Sequence, residues 1–369
     1  VTFGSLGCYP VEHLEVVEIE PVVIDGAKVW KDYNHDIISH PDAMFTINDG
    51  RNHFFCTTGR YDVITSDPFE PVVGGAANLF TVEHFKLAKA CLKEGGIMCQ
   101  WVPMYEMSQE DFLTILRSFV HVFPDSALFF TGLDILMLGS RDGLRPDPQN
   151  VAAKYDIPAV SNSLAEIGMN RPEMILGMFV AQMSEGNQFV GDGPLNTDNR
   201  PVIEFSAPKS QMYHTVDRNQ QILHDNFTDI PDFYLESFDE ESRARIRAQH
   251  DALKMVLKAS ILRAGGSHTE AFQLLDEARR LAPQSAVVAN EISSMLLRSA
   301  NELNKQRNFQ EAWYQYQEVL KYDPDSFRAL YQMVILAMFS NQPDLAGQFL
   351  EQGMAAYPDA PMFRALRGK

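Results

Sequence analysis

Tyr61-Asp62-Val63-Ile64-Thr65-Ser66, followed at once by Asp67-Pro68-Phe69-Glu70-Pro71, is the stretch that decides how this chain folds. Its first six residues read as a short strand rich in β-branched side chains, and an Asp-Pro step lies just past its carboxyl end. Working outward, a helix is predicted from about Val82 to Leu92, stopped by Gly95-Gly96. Ile97 to Trp101 is the next strand. Ser108 with Asp111 three residues on resembles a capping box for a helix from Gln109 to Phe123. Ala127 to Phe130 and Ile135 to Leu138 read as a closing pair of strands, with a turn at Gly132-Leu133-Asp134. Upstream, Ala43 to Ile47 is a strand ending at Asn48-Asp49-Gly50. Before it, Leu14 to Ile19 is a strand, and Pro21 to Trp30 carries Val23, Ala27 and Trp30 on a helical period. Short strands separated by helices of this length imply an α/β fold with a mostly parallel sheet covered on both faces.

An open sheet of this class binds its ligand at the carboxyl ends of the central strands. Residues 1–205 therefore read as a nucleotide-binding domain of Rossmann type. The chain opens on a helix, Val1 to Leu6, where a first strand and a glycine loop belong. Loss of a central strand would leave two buried strands with unpaired backbone groups. The missing strand is therefore expected to exist, in cis or as another fragment.

Four acidic positions lie at or near strand ends: Glu18 and Glu20, then Asp49, then Asp67. Glu18 and Glu20 share a face, since strand side chains repeat with period two. A carboxylate there suits the two hydroxyls of a ribose, and Asp49 can accept from an adenine amino group. Asp67 and Glu70 sit on the loop over the expected transfer point, where two carboxylates can hold a cationic amine and one can take its proton. For each acid alone, the competing reading is a turn former or helix cap. Asp198, in the turn-rich Asn196 to Pro201 segment, is read as structural. His13, His35, His40, His53 and His84 show no metal spacing and are taken as solvent or core residues; no metal site is expected.

Hydrophobic residues make up 45% of the 369 and charged residues 22%, as in globular material rather than disorder. A net charge of -18 argues against a nucleic-acid partner, whose affinity comes mainly from phosphate neutralisation. Cys8, Cys56, Cys91 and Cys99 lack disulfide or metal spacing and read as free thiols in a reducing compartment. No run approaches the roughly 18 apolar residues a membrane-spanning helix needs. A helix is predicted from Pro172 to Met183, with Met174 and Met178 as core. Residues 206–240 read as a connector.

From about residue 241 the pattern becomes helical throughout. AFQLLDEARRLAPQS from Ala271, AWYQYQEVLKYDPDS from Ala312 and AGQFLEQGMAAYPDA from Ala346 align, each with a proline twelve residues on: Pro283, Pro324 and Pro358. The alanines are 41 and 34 residues apart. A period of about 34 is the tetratricopeptide signature, and the longer interval leaves room for an extended helix over roughly Ser285 to Glu302. Residues 241–369 are thus expected to form helical repeats offering a surface to a protein partner.

VEIE (Val17 to Glu20), NDGRN (Asn48 to Asn52), YDVITSDPFEP (Tyr61 to Pro71), NLFTVEHF (Asn78 to Phe85) and GGIMCQWVP (Gly95 to Pro103) together resemble the spermidine synthase, or polyamine aminopropyltransferase, family. The likeness is greatest to spermidine-synthase-like domains of larger bacterial proteins with a membrane-embedded N-terminal half, and TDNRPVIEF (Thr197 to Phe205) resembles their closing segment. The resemblance implies a class I methyltransferase fold and transfer of an aminopropyl group from decarboxylated S-adenosylmethionine to a polyamine or related small cationic amine. The donor would be a co-substrate, with no cofactor tightly bound. Glu18, with Glu20 beside it, would bind the ribose, and Asp49 with Gly50 would face the adenine. Asp67 would be the catalytic aspartate, and Glu70 stands where the family has a second aspartate. Tyr61 and Gln100 would contact substrate. It also implies a location on the cytoplasmic side, tethered to the inner membrane by an absent N-terminal region.

Departures leave other readings open. Pro68 and Phe69 replace two small polar residues between the acids, and no glutamate follows Gln100 closely. A methyltransferase using S-adenosylmethionine shares the nucleotide half. A non-catalytic binding or scaffold module is the third reading.

Overall fold

β-Branched residues held apart by capped helices give the first half its elements. The computed structural model describes residues 2–144, 147–184, 189–211, 215–236, 238–358 and 360–366, and divides into two compact units, Val1–His268 and Thr269–Lys369. In the first unit a short helix α1 (Thr2–Leu6) precedes β1 (Leu14–Glu18), α2 (Pro21–Ala27), β2 (Ala43–Ile47), α3 (Gly50–Cys56) and β3 (Tyr61–Ser66). Then come α4 (Val82–Cys91), β4 (Leu92–Pro103), α5 (Gln109–Val122), β5 (Ser126–Phe130) and β6 (Asp134–Ser140). Ser108 caps α5 by accepting from the Asp111 N–H, as its spacing predicts.

β1 and β2 pair in parallel as a two-stranded sheet, with Glu18 opposite Ile47. The other sheet has the order β3-β4-β6-β5-β7, where β7 is Phe179–Met183. β3 and β4 are parallel, and β6 lies antiparallel between β4 and β5. Thus β3, β4 and β5 point one way and β6 and β7 the other. β4 is longer than Ile97 to Trp101: it begins at Leu92 opposite Tyr61, passes through Gly95 in the left-handed region at φ 70°, and ends at Pro103 opposite Asp134. Phe85, Phe119 and Phe123 pack in the core, the first pair edge to face, at 5.1 and 4.9 Å between successive ring centres.

Residues 148–264 hold α6 (Pro148–Tyr155), α7 (Pro158–Glu166), α8 (Glu173–Leu176), β7, α9 (Val202–Ser206), α10 (Val216–Asp225) and α11 (Glu240–Ala264). The helix expected over 172–183 is instead the single turn α8 followed by the strand β7. Gly177 ends the turn with the Gln249 side chain where a Cβ would stand, and Phe179–Met183 is buried nearly throughout against β5. Met174 and Met178 are core. The stretch 206–240 is not a free connector. Asn219 on α10 is buried and donates to the carbonyls of Met104 (2.8 Å) and Met107 (3.0 Å), and Tyr234 is buried. α11 also belongs to the first unit rather than to the repeats. Ile246 joins the core of Phe129, Phe179 and Tyr234, and Arg245 pairs with the mostly buried Glu173 at 2.7 Å.

The second unit consists of α12 (His268–Leu281), whose first residue closes the preceding unit, α13 (Ala286–Lys305), α14 (Phe309–Tyr322), α15 (Phe327–Phe339), α16 (Pro343–Ala356) and α17 (Pro361–Leu366). Ala271, Ala312 and Ala346 are buried where helices pack, and Pro283, Pro324 and Pro358 follow the ends of α12, α14 and α16. α13 has 20 residues and α15 has 13, which accounts for the longer first interval.

A buried asparagine ties the sequence-distant 194–206 segment to the first unit. Asn196 Nδ2 donates to the carbonyls of Ala77 (3.1 Å) and Phe80 (3.2 Å), and its Oδ1 accepts from Ile203 N–H. Asn196→Ala should lower the unfolding free energy by about 2–4 kcal/mol, because three buried backbone groups lose partners together. Urea denaturation of the variant beside the parent protein measures this; a change within about 0.5 kcal/mol would exclude the clamp.

Candidate active site

β3 ends with Ser66 opposite Gln100, so Asp67 leaves the sheet at the level of Trp101. Its Oδ2 accepts from the Thr2 hydroxyl at 2.8 Å. Three residues on, Glu70 Oε1 accepts from the Tyr105 hydroxyl at 3.3 Å. From the other side, antiparallel pairing places Asp134, the first residue of β6, opposite Pro103. Burial raises the Asp134 carboxyl above its ordinary value, a hydrogen bond from Trp101 opposes this, and Asp67 and Glu70 raise it further. The Tyr105 phenol is pushed up to about 12 by burial and by Asp134 and Glu70. Three carboxylates and a phenol from three segments therefore gather at the carboxyl end of β3 and β4. Such a concentration of negative charge favours a cation. The Cys99 thiol, on the Trp101 face, is pushed up to about 12 by burial and by Asp67, so it stays protonated and is no nucleophile at neutral pH.

The sequence reading placed Asp134 only in a turn. No local signal marks it, since it reaches the other acids through pairing with a strand more than thirty residues away.

Glu18 ends β1, and Asp49 lies two residues past the end of β2, so parallel pairing puts both at one rim. Glu18 Oε1 accepts from the Glu20 N–H at 2.9 Å. Glu20 caps α2 by accepting from Val22 N–H, and Asp49 caps α3 by accepting from Asn52 N–H at 2.8 Å. Gly50 is the first residue of α3. The helix-cap role thus holds for Glu20 and Asp49. Among the described hydrogen bonds, Glu18 and Asp49 each engage one carboxylate oxygen.

Tyr61 and Gln100 do not join Asp67. Tyr61 opens β3 at its opposite end, where its hydroxyl donates to Glu15 at 2.9 Å. Thr46 donates to the same carboxylate at 2.6 Å, and His53 Nε2 lies 3.7 Å away. Burial alone would raise the Glu15 carboxyl, but those hydrogen bonds and His53 outweigh it and hold it below the usual range. Gln100 is fully buried, and its Nε2 donates to the carbonyls of Ser66 (3.4 Å) and Trp101 (3.0 Å). Alternation along β4 puts its side chain on the face opposite Trp101. It braces the backbone around Asp67 from beneath.

Beside the Asp49 rim, Arg51 forms an ion pair with Asp198, whose backbone N–H donates to Glu83 at 3.0 Å. Asp198 is thus structural. His84 is buried next to them, packed between Phe54 and Phe85, and neither ring nitrogen has a hydrogen-bond partner. Burial, with Arg51, pushes its imidazole down to about 4. Among the described residues, no group of three His, Cys, Asp or Glu is arranged to hold a metal ion. No helix there is long and apolar enough to cross a membrane.

Residues 5–138 match the family described as "Spermine/spermidine synthase domain". Residues 303–369 match "Tetratricopeptide repeat". The polyamine aminopropyltransferase of Erwinia tasmaniensis is 25% identical over 162 residues, 43% of this chain and 56% of that protein. The polyamine aminopropyltransferase of Pectobacterium carotovorum is 30% identical over 121 residues, 32% of this chain and 42% of that protein. The chain spans about half the length of the curated relatives it matches. A crystal structure of spermidine synthase from Thermotoga maritima aligns over 44% of this chain and 66% of its own, with 20% identity and a TM-score of 0.33. The first unit is an α/β fold whose larger sheet runs β3, β4 and β5 one way and β6 and β7 the other.

His84 gives the first unit a testable pH dependence. A folded value of about 4 against an ordinary 6.5 means that the unfolded chain takes up the proton first. The stabilisation is complete above pH 6.5 and is lost as pH falls toward 4. His84→Phe keeps the ring packing and should remove up to about 1.4 kcal/mol per pH unit of that slope. Denaturation curves from pH 7 to 4.5 test this, and parallel slopes for both proteins would contradict it.

Proposed function

We propose that the synthase domain transfers an aminopropyl group from decarboxylated S-adenosylmethionine to a small cationic amine. The observation that carries this reading is that Asp67 and Glu70 both act on the Asp134 carboxyl, and Tyr105 donates to Glu70, at the carboxyl end of β3. The amine nitrogen attacks the propyl carbon bound to the sulfonium. As the C–N bond forms, the C–S bond breaks and its electron pair passes to sulfur, leaving neutral methylthioadenosine. The nitrogen gives up a proton to Asp67, the general base, while Glu70 stabilises the passing cation. Glu18 and Asp49, each with one oxygen outside the local turn, would hold ribose and adenine, with Glu20 and Gly50 shaping the rim.

In the full-length protein, Asp67→Asn should lower turnover at least about a hundredfold with donor affinity nearly unchanged, as loss of a positioned base does. Equal activity would sink the assignment. The exposed Phe69 ring on the site loop favours a second reading, a methyltransferase with a less polar acceptor. Product analysis separates them: methylthioadenosine for aminopropyl transfer, S-adenosylhomocysteine for methyl transfer. Binding of neither donor would leave the scaffold reading.

β1 and β3 are each terminal in their sheets, yet Glu15 and Tyr61 bond from one to the other. We infer that a further strand, in cis or from another fragment, pairs with both and supplies the loop that seats the donor's sulfonium arm. The inference expects slow amide exchange along Val16–Glu18 and Val63–Thr65 in the full-length protein; rapid exchange on both would refute it. The helical repeats are assigned to a protein partner, with Phe309, Tyr314 and Phe339 among their exposed apolar side chains. Crosslinking that finds no protein neighbour on the repeats would remove this assignment.

A further inference from the structure

Asp67 follows β3 directly, and Pro68 after it has no N–H, so the nearest backbone donor is missing. Other acids at the strand ends are held by their own turns. Glu18 accepts from the Glu20 N–H and Asp49 from the Asn52 N–H. Asp67 has no such local partner among the described hydrogen bonds, and Asp134, which feels its charge, is itself an acid. Like charges repel, so a carboxylate left to itself here swings toward water. Its donor comes instead from 65 residues away: the Thr2 hydroxyl, 2.8 Å from Oδ2.

Thr2 is the first residue of α1, so no earlier turn of that helix offers a carbonyl to capture its hydroxyl. The helix is seated without this bond. Gly4 is buried, and a Cβ on it would stand 2.1 Å from the Asn34 carbonyl oxygen, so only glycine lets α1 lie this close. Asn34 is buried too, and its Nδ2 donates to the Ala27 carbonyl at 2.7 Å, which fixes that surface. Phe3 packs edge to face on Phe45 of β2, with 5.6 Å between ring centres. Packing therefore holds Thr2, and what the hydrogen bond orders is the carboxylate. It engages Oδ2 and leaves Oδ1 without a partner among the described hydrogen bonds.

We propose that Thr2 is a positioning residue for the transfer reaction, its hydroxyl holding Oδ2 of Asp67 so that Oδ1 faces the attacking amine and takes its proton. This rests on the aminopropyl-transfer reading above. The proton passes from nitrogen to Oδ1, and Thr2 keeps its own hydrogen throughout. In the free protein the bond is exposed and water competes for both groups; bound substrates exclude that water and strengthen it. A carboxylate already in place when the amine arrives need not be ordered in the transition state, so the gain falls on turnover rather than on binding.

The test measures methylthioadenosine release and calorimetric donor binding in the full-length protein, with 1,4-diaminobutane as acceptor. Thr2→Val keeps the shape and removes the hydroxyl. Its kcat should fall about 10- to 100-fold, the range for a hydrogen bond to a charged group, while donor Kd and the KM of either substrate stay within about twofold. Unchanged donor Kd also shows that the variant folds. Thr2→Ser restores the hydroxyl and should return kcat to near wild type. Added to Asp67→Asn, Thr2→Val should cost little more, because a residue that acts through Asp67 has no base left to position. Wild-type kcat in Thr2→Val overturns the role and leaves the transfer reading standing. So does a loss that Thr2→Ser does not rescue, a loss that recurs in full on Asp67→Asn, or a rise in donor Kd that matches the fall in kcat. A wild-type protein that binds the donor but releases no methylthioadenosine overturns the transfer reading itself, and this role falls with it.

Discussion

The parallel ladder between β3 and β4 is the constraint on which the site depends. Backbone groups in a buried sheet must find partners in register, so Ser66 is held opposite Gln100 and the chain must turn away at Asp67. The same requirement holds β6 antiparallel to β4 and starts it at Asp134. Neither acid is placed by an affinity for the other. Both are delivered to one rim by backbone pairing, and their mutual repulsion is borne by a fold whose hydrogen bonds and buried Met98, Val102, Ile135 and Met137 hold the strands regardless.

Two polar clusters at opposite ends of β3 show how satisfaction of hydrogen bonds separates architecture from chemistry. At the amino end, Glu15 accepts from Thr46 and Tyr61 and faces His53, so its charge is answered within the protein. It joins β1, β2, β3 and α3 and has little left to offer a ligand. At the carboxyl end, Asp134 keeps an unanswered oxygen among other acids. The residue types are alike, but the completed network is a fastener, whereas the acids at the carboxyl end raise one another's cost of ionisation.

The segment around Asn196 gives the site loop its footing. Asn196 holds the carbonyls of Ala77 and Phe80 from within, and Glu204 accepts from the Gly75 N–H at 3.3 Å. The loop from Asp67 to Phe80 is thereby anchored where it returns to α4, while Phe69 near its start remains exposed. In the second unit the organising rule is simpler. Small alanines let successive helices approach closely, and each proline closes a pair before the next begins.

Much of this was legible along the chain because its causes are local. YDVITS is a strand by its β-branched content, Ser108 caps α5 by side-chain reach, and the Ala and Pro spacing of the repeats reports helix contacts only a turn or a repeat away. The acids at the ends of β1, β2 and β3 were likewise visible, because a strand's end is a local event. Whether each acid is a cap or a site residue was not, since that depends on which N–H groups the folded backbone leaves beside it. Tyr61 shares a strand with Asp67, but the strand's length carries it to the far rim; Gln100 lies at the right level on the opposite face. β7 and α11 were misplaced by pattern because burial from sequence-distant partners overrides local propensity. The sequence by itself determined the elements, the repeat and the acids at strand ends, all matters of neighbours along the chain. Tertiary structure alone decided that Asp134 joins Asp67 and Glu70, because only antiparallel pairing of β6 with β4 brings a turn residue to the rim where the transfer loop begins.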